Sequence, residues 1–350
     1  MRKVVPTLVL ITMLMFTIST LHAQSIAETL HTMKQGERLD KIITLDQEQE
    51  LGYIPVSLIK GKYPGKVFTI VAGIHGYEYP PITAVQELLK ELKPDELHGT
   101  LIVLPLANVA SFYKRSPFVN PIDYKNLNTT FPGSETGSLT EKIAHWISTE
   151  VILNSDVFLD IHGGDAGEDL IPFICYYNNE SNPQTTKEAH LLSEASQMEY
   201  IVSYPYDLKK TDKAKYAFKQ AVQNDIVALS IEAGKLGTVQ KENVELIKNA
   251  VYHMLAYATL YKNEPKIEIP NQTKTYLRNQ TYVKVEQKGL FYSSIAAGDN
   301  VIQGQEIGTI TDEFGQVLNQ VKSPVTGIVL YKTGTPPVNK GETLFCIGHY

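Results

Sequence analysis

Residues 67–92 read VFTIVAGIHGYEYPPITAVQELLKEL and contain the change from strand to helix on which the fold assignment rests. The first part is almost entirely apolar and predicts a buried strand, whereas the part from Pro80 onwards has apolar side chains at helical spacing. Prolines are tolerated in the first turn of a helix, so Pro80 and Pro81 fit its start. His75 and Glu78 lie between the two elements, in a position where they could form part of a site.

The same alternation of strand and helix continues to about residue 262. Apolar segments at 100–108, 156–162 and 226–234 predict further strands, and helical spacing marks 138–152, 185–198, 213–223 and 243–261. Ser138, with Glu141 three residues later, is typical of a capping box at the start of a helix. Strands that are apolar throughout and separated by helices predict an α/β fold with helices on both faces of the sheet.

The pattern changes after about residue 265 to short β-branched segments separated by glycines. We therefore predict one main α/β domain over residues 24–265 and a small all-β domain over residues 266–350. The second domain resembles the half-barrels of biotinyl and lipoyl carriers, and it contains a weak internal repeat. Carriers need a modifiable lysine at the tip of the central hairpin, and the equivalent turn at 311–315 has none. A structural or access-limiting role is therefore favoured over a carrier role.

Residues 1–23 have the pattern of a secretory signal peptide. Arg2 and Lys3 precede a short apolar stretch, and residues 21–23 resemble a small-residue cleavage site. The alternative is a retained membrane anchor, but the apolar stretch is shorter than the roughly 20 residues that span a bilayer. The pattern predicts a secreted or periplasmic protein, with no stable membrane association after removal of the signal.

The composition of 43% hydrophobic and 20% charged residues is that of a globular protein. Residues 1–23 hold two basic and no acidic side chains, so their removal changes the formal charge from −6 to −8. An acidic chain without a lysine or arginine cluster argues against nucleic acid as a partner. Cys175 and Cys346 are too few for a disulfide scaffold and are expected to be buried thiols. The sequence indicates no particular oligomeric state.

Three of the predicted strands end in side chains that commonly bind metals. His75 and Glu78 follow the first strand, His162 ends another, and Glu232 lies near the end of the last. Ligands of open α/β sheets bind outside the carboxyl ends of the strands, so these side chains are expected to meet at one rim. Two histidines and a carboxylate match a catalytic zinc site, which leaves Glu232 as a general base. Each residue alone has an ordinary alternative, such as a core histidine or an ion-paired glutamate, and the combination favours the metal site.

Five motifs keep an order and spacing that make the chain similar to a known family. They are GIHGYE (73–78), SFYKRSPFVNPIDYKNLNTTFPG (111–133), GSLTEKIA (137–144), DIHGGD (160–165) and SIEAG (230–234). Over roughly residues 45–350 the chain resembles the succinylglutamate desuccinylase/aspartoacylase family, which has a zinc carboxypeptidase-like fold. The resemblance implies a mixed sheet flanked by helices, followed by the small all-β domain.

The resemblance also implies roles for individual residues. It implies that His75, Glu78 and His162 bind one Zn²⁺ per chain and that Glu232 is the general base. It further implies that Arg115 polarises the scissile carbonyl, which suits a guanidinium because its fixed positive charge stabilises a developing oxyanion. The ordinary alternative for Arg115 is a solvated loop arginine.

One position departs from the family pattern. The family usually has an Asn-Arg pair before Phe-Pro-Gly, which grips a substrate carboxylate; this chain has Asn128 followed by Thr129. A hydroxyl cannot replace a bidentate, charge-assisted contact with a carboxylate. We therefore expect Asn128 and Thr129 to contact a substrate that lacks this carboxylate, or Lys114 or Lys125 to supply the missing charge.

The sequence thus predicts a zinc-dependent hydrolase that deacylates a small N-acylated amino compound, with Glu232 accepting the proton of a zinc-bound water. One alternative is an exported zinc carboxypeptidase acting on peptides or cell-wall fragments. Another is a non-catalytic relative that binds a metal or a glycan, since fold alone does not establish activity.

Overall fold

The computed structural model describes residues 25–261 and 273–350. The predicted signal peptide and the predicted domain boundary at residue 265 lie outside the described residues. Inside them, no helix combines the length and apolar character needed to cross a bilayer.

The helices and strands are as follows. Helices α1 to α7 span Ile26–Thr32, Tyr79–Glu91, Val109–Lys114, Leu139–Trp146, Pro183–Ala195, Ala217–Gln223 and Lys241–Tyr257. Strands β1 to β10 span Glu37–Thr44, Tyr53–Lys60, Tyr63–Ala72, His98–Leu104, Val157–His162, Glu168–Leu170, Phe173–Asn178, Tyr200–Pro205, Val227–Glu232 and Thr275–Leu277. Strands β11 to β18 span Asn279–Lys284, Gly289–Tyr292, Asn300–Val301, Glu306–Thr311, Val317–Lys322, Gly327–Thr333, Pro337–Val338 and Thr343–His349. Short 3₁₀-helices span Pro94–Glu96, Leu127–Thr129 and Ile152–Asn154, and a short π-helix follows α4 at Ile147–Val151.

Within the described residues, the main sheet has nine strands in the order β1-β2-β4-β3-β5-β9-β7-β8-β10. Its centre is parallel, because β3 pairs in parallel with β4 and β5, and β5 pairs in parallel with β9. Strand β7 runs antiparallel to β9, and β2 runs antiparallel to both β1 and β4. The sheet is therefore mixed and flanked by helices, which confirms the predicted fold class.

The core lies on both faces of this sheet because side chains of successive strand residues point to opposite sides. Phe68 and Leu159 pack with α2 and α7 on one face, whereas Val71 and Phe158 pack with α4 and α6 on the other. Every residue of β5 is buried. Burial on both faces explains why the central strands read as nearly continuous apolar segments instead of alternating ones.

The predicted capping box forms at the start of α4, where Ser138 and Glu141 each contact the backbone of the other. The α-helix is shorter than the predicted segment 138–152. It ends at Trp146, and the chain then forms the short π-helix and the 3₁₀-helix up to Asn154. Hairpin β1–β2 and strands β7 and β8 were not predicted. Cys175 and Cys346 are buried free thiols, as expected.

The C-terminal part of the chain forms two small sheets around its own apolar core. One has the order β11-β18-β16-β13 with β6 paired to β16, and the other has the order β15-β14-β12-β17. Phe291, Ile310 and Phe345 are among the buried residues between them. Two strand pairings join this part to the rest of the chain. Strand β10 pairs with β8 of the main sheet, and β6, which precedes β7 in the chain, pairs with β16. The all-β region therefore lies directly against β6 and β8.

Gly76 allows the loop after β3 to pack against the backbone of α3. A Cβ atom added at this position would overlap the nitrogen of Phe112 and lie 2.5 Å from the carbonyl carbon of Ser111. The Gly76 nitrogen also donates a hydrogen bond to the Ser111 hydroxyl, at 3.2 Å. This close approach fixes the backbone between His75 and Glu78.

We expect Gly76→Ala to lower the free energy of unfolding by about 1–3 kcal/mol, because the helix backbone must move to admit the methyl group. Urea denaturation monitored by circular dichroism measures the change. Gly167→Ala is the matched control, since its added Cβ would meet only the side chain of Thr335, at 3.1 Å. Equal losses in the two variants would contradict the close-packing explanation.

Candidate metal site and its cavity

The carboxyl ends of three neighbouring parallel strands bring the candidate residues to one rim of the main sheet. His162 is the last residue of β5, and it pairs in register with Glu232, the last residue of β9. His75 lies three residues beyond the end of β3. Strand β3 pairs with β5 along the edge of β5 opposite β9. Glu78 is the N-cap residue of α2. The strand order therefore places residues that are far apart in sequence next to one another.

His75, Glu78 and His162 form a compact buried cluster. The Nδ1 atom of His75 lies 2.6 Å from Oε1 of Glu78, and Nδ1 of His162 lies 3.1 Å from Oε2 of Glu78. One ligand atom from each residue lies within 4.8 Å of the other two. All three residues are buried. Two imidazole nitrogens and a carboxylate at this spacing are a donor set that could hold a metal ion.

The electrostatics of the cluster favour positive charge at its centre. Burial acts to raise the pKa of Glu78, but the neighbouring His75 and His162 outweigh it and lower that pKa to about 2. Burial acts to lower the pKa of both histidines, yet Glu78 raises that of His75, and Asp160 and Glu78 raise that of His162. Because the donors already stabilise a buried positive charge, they fit a divalent cation in its place.

The far nitrogen of each histidine lies beside a polar side chain. Nε2 of His75 is hydrogen-bonded to Oδ1 of Asn126 at 3.0 Å. Nε2 of His162 lies 3.1 Å from Oδ2 of the buried Asp160, an ion-pair distance without hydrogen-bond alignment. Such outer contacts fix the ring orientation and the tautomer of a metal-binding histidine. Both rings therefore present Nδ1 to Glu78.

Glu232 lies beside this cluster and lines the same cavity. Burial raises the pKa of its carboxyl to about 8, although the nearby His162 acts in the opposite direction. A group with a pKa near neutrality can both take up and release a proton under physiological conditions. A cation in the neighbouring cluster would stabilise the ionised form and lower this pKa.

The cluster lies at the wall of a cavity of about 330 Å³. Its lining residues in the described chain are His75, Glu78, Phe118, Asn126, Asn128, Thr129, His162, Gly163, Glu168, Leu170, Phe173, Cys175, Tyr177, Tyr204, Tyr216, Phe218, Glu232, Tyr282 and Tyr331. The volume suits a small organic molecule. None of these described lining residues is a lysine or an arginine.

Comparison with known proteins places this site in a family context. The sequence profile of the succinylglutamate desuccinylase/aspartoacylase catalytic domain matches residues 64–258, which is more than half of the chain. The chain belongs to this family. The resemblance drawn from the five motifs is thereby confirmed, and the chain is a member of a family of hydrolytic deacylases.

Individual known proteins align with most of the chain. The N-alpha-acetyl-L-2,4-diaminobutyric acid deacetylase of Halomonas elongata is 29% identical over 307 residues, covering 84% of this chain and 85% of that protein. A succinylglutamate desuccinylase/aspartoacylase from Rhodobacter sphaeroides is 20% identical, with a TM-score of 0.78. The product-bound ectoine utilization protein EutE (DoeB) from Ruegeria pomeroyi is 22% identical, also with a TM-score of 0.78. Each structural match covers 91% of this chain and 98% of the other, so the two structures share this fold.

The position at which the chain departs from the family pattern lies in the cavity wall. Asn128 and Thr129 both line the cavity, and Oδ1 of Asn128 is buried without a hydrogen-bond partner. The lysines considered as replacements for the family arginine do not line the cavity. Lys114 is exposed, and Nζ of Lys125 is paired with Oε2 of Glu141 at 2.6 Å.

Arg115 is separated from the other predicted site residues. It is the C-cap residue of α3 and has a left-handed backbone conformation, with φ of 52°. Its side chain is exposed and does not line the cavity. Phe118, three residues later on the same loop, does line the cavity. The role implied for Arg115 at the scissile carbonyl therefore remains a prediction that requires the side chain to turn inward.

Several cavity residues were missed from the sequence. Asn126 belongs to the same motif as Asn128, so its position two residues upstream was an available signal. Glu168 follows His162 by six residues without a motif of its own. Four of the five cavity tyrosines come from strands β7, β8, β11 and β16, and Tyr216 is the N-cap residue of α6. Only the folded arrangement of both parts of the chain brings them together.

Proposed function

We propose that the protein is a zinc-dependent amidohydrolase that removes the acyl group from a small N-acylated amino compound. The observation that carries this proposal is the convergence of His75, Glu78 and His162 within 4.8 Å, at the wall of a cavity that also contains Glu232. Membership of a deacylase family and the alignment with a deacetylase over most of the chain support the same reaction class.

The donor set favours zinc over harder cations. Two imidazoles and one carboxylate are common ligands of catalytic zinc, whereas magnesium and calcium prefer oxygen ligands alone. A bound zinc ion supplies a Lewis acid that polarises a carbonyl and lowers the pKa of water to about 7. The remaining chemistry falls to the side chains of the cavity.

Glu232 is the group placed to move protons. As a carboxylate it accepts a proton from the attacking water, and as a carboxylic acid it returns that proton to the leaving amine. Asn128 presents a buried Oδ1 without a partner, which suits it to accept a hydrogen bond from an N–H group of the substrate. The apolar and aromatic part of the wall excludes water from the amide.

The carboxypeptidase alternative is less favoured by the cavity. A carboxypeptidase needs a cationic side chain to hold the terminal carboxylate of its peptide. No lysine or arginine of the described chain lines the cavity, and Thr129 occupies the position of the family arginine. The site therefore suits a substrate that is not held through a carboxylate.

We expect purified protein to bind about one zinc ion per chain and to hydrolyse N-acetylated amino compounds when loaded with zinc. His162→Ala is expected to lose both the metal and the activity, because three protein ligands are needed at such a site. Mass spectrometry of the metal content and detection of released acetate measure the two outcomes.

The matched control is His31→Ala, which removes an exposed histidine of α1 and should change neither outcome. Protein that takes up no divalent cation would contradict the proposed metal site. Zinc-loaded protein that releases no acyl group from a broad panel of N-acyl compounds would contradict the proposed activity.

A further inference from the structure

Tyrosines from both parts of the chain line the cavity. Tyr177, Tyr204, Tyr282 and Tyr331, which we call the tyrosine wall, line the cavity from strands β7, β8, β11 and β16. The first two belong to the main sheet and the last two to the C-terminal sheets. Both parts of the chain therefore contribute to the cavity wall.

The tyrosine wall is held by its neighbours and stays uncharged. The ring of Tyr177 stacks on Phe218 with centroids 4.7 Å apart and lies 5.8 Å from the ring of Tyr204. Burial raises the pKa of each of the four hydroxyls well above its usual value. The wall therefore offers aromatic rings and neutral hydroxyl groups, and the face of an aromatic ring attracts a cation.

Glu168 is an acidic group in the cavity that the proposed reaction does not use. It begins β6 and pairs in register with Thr333 of β16, two residues from Tyr331. Its Oε2 accepts a hydrogen bond from the Asp165 nitrogen at 3.2 Å. No lysine, arginine or histidine in the described chain lies within ion-pair distance of its carboxylate. Burial, together with the negative charge of the nearby Glu78, raises the pKa of Glu168 to about 7. A carboxyl in this setting ionises more readily when a cation lies beside it.

The formal charge of the cavity also favours a cationic ligand. Its lining includes the carboxyl groups of Glu78, Glu168 and Glu232 and no lysine or arginine of the described chain. An acidic substrate would add a negative charge to this acidic lining, whereas a cationic substrate would not. Two lysines lie beside rings of the wall, with Nζ of Lys219 5.0 Å from the ring of Tyr177 and Nζ of Lys284 5.8 Å from that of Tyr282, but neither lines the cavity. Nζ of Lys219 also lies 3.7 Å from Oδ1 of Asp207.

We propose that Glu168 and the tyrosine wall form a subsite for an ammonium group, so that the substrates are N-acylated amines carrying a second, cationic nitrogen. This inference rests on the proposed function, because it names the substrate class of the same site. Glu168 supplies the charge partner and the tyrosine wall borders the cation. Glu168 is a specificity residue, and it takes no part in proton transfer.

Three acetamides of similar length test the inference on the zinc-loaded protein. N-acetyltrimethylenediamine carries an ammonium group, N-butylacetamide carries a methyl group in its place, and N-acetyl-β-alanine carries a carboxylate. We expect kcat/KM to be at least about tenfold higher for the cationic compound than for the neutral one, and lowest for the anion. Equal values, or a preference for the anion, would overturn the inference and leave the proposed deacylation intact.

Glu168→Gln assigns the preference to this residue. It should raise KM for the cationic compound about tenfold or more, with little change in kcat and with kcat/KM for the neutral compound unchanged within about twofold. Glu180→Gln, at an exposed position in the turn after β7, is the matched control and should change none of these values. A uniform loss on all three compounds would instead indicate a structural or catalytic role.

A binding measurement separates this inference from the proposed function. Calorimetry with trimethylenediamine, the expected product, should show binding that Glu168→Gln weakens about tenfold. Binding of this kind in a protein that hydrolyses none of the compounds would support the ammonium subsite and contradict the deacylase. No binding of the diamine, together with hydrolysis of the neutral compound, would support the deacylase and overturn the subsite.

Discussion

Replacement of Glu232 by glutamine is expected to remove nearly all hydrolytic activity while the zinc content stays unchanged. Glutamine keeps the size and shape of the side chain but cannot accept a proton from water. Positioned proton transfer typically contributes about 100- to 10,000-fold to the rate, so kcat should fall by that factor. This is the largest effect expected from a residue that does not bind the metal.

The geometry separates Glu232 from the residues that hold the ion. Glu232 is not part of the group of ligand atoms within 4.8 Å, although it lines the same cavity and pairs in register with His162. Its carboxyl is also in the environment that a proton carrier needs, because burial raises its pKa to about 8. Loss of its proton-accepting capacity should therefore affect the chemical step and not the metal affinity.

The measurements are initial rates on an N-acetylated substrate and the zinc content of the same sample. Glu180→Gln is again the matched control, because the same chemical change is made at an exposed position. Loss of zinc from Glu232→Gln would show that this residue is a ligand. Retention of most of the activity would show that another group accepts the proton.

The centre of the fold could be predicted because its sequence signals are local. The strands that became β3, β4, β5 and β9 are buried on both faces, which makes each of them a continuous apolar segment. Strands β1, β2, β7 and β8 were missed. The residues of β1 alternate between partial burial and exposure. Strands β7 and β8 lie on the opposite side of β9 from the predicted strands β3, β4 and β5. The pairing of β6 with β16 and of β10 with β8 could not be predicted, because no local sequence pattern indicates which distant strand each one joins.

The candidate metal site could be predicted for a related reason. His162 and Glu232 end central strands, and His75 and Glu78 follow another, so their approach is a consequence of parallel strand order. The positions of Arg115 and Glu168 could not be predicted from the order of the strands. Their positions depend on how a loop and a short strand pack against other elements, and neither is determined by the end of a central strand.

The tyrosine wall depends on tertiary structure alone. Tyr282 and Tyr331 come from the C-terminal sheets, and their place in the cavity follows from the pairing of β6 with β16 and of β10 with β8. The sequence alone favours a structural or access-limiting role for this region. The structure gives it a more specific position, since it supplies part of the cavity wall.

Restoration of the family arginine through Thr129→Arg is expected to give the protein activity on an acidic substrate. Charge-assisted contacts with a carboxylate contribute roughly 1.5–3 kcal/mol, so kcat/KM for N-acetylaspartate should rise about 10- to 100-fold over wild type. Thr129 is exposed, and its hydroxyl donates only to the backbone oxygen of Asn126, at 3.1 Å. The longer side chain should therefore fit without disturbing the core.

Two further substitutions at this position separate charge from size. Thr129→Gln lengthens the side chain without charge and should give no gain on N-acetylaspartate. Thr129→Lys adds a point charge without the planar fork of a guanidinium and should give a smaller gain than arginine. Rates for a neutral N-acetyl compound, measured alongside, should be similar in all three variants.

The same variant also distinguishes two explanations for the missing arginine. If the cavity is selective for cationic substrates, an added guanidinium should raise KM for N-acetyltrimethylenediamine because it places a like charge in the same cavity. If another cation already holds a substrate carboxylate, wild-type protein should hydrolyse N-acetylaspartate readily and Thr129→Arg should add little. The second result would contradict the view that Thr129 marks a change in substrate class, because the lost arginine would then have been compensated elsewhere in the cavity.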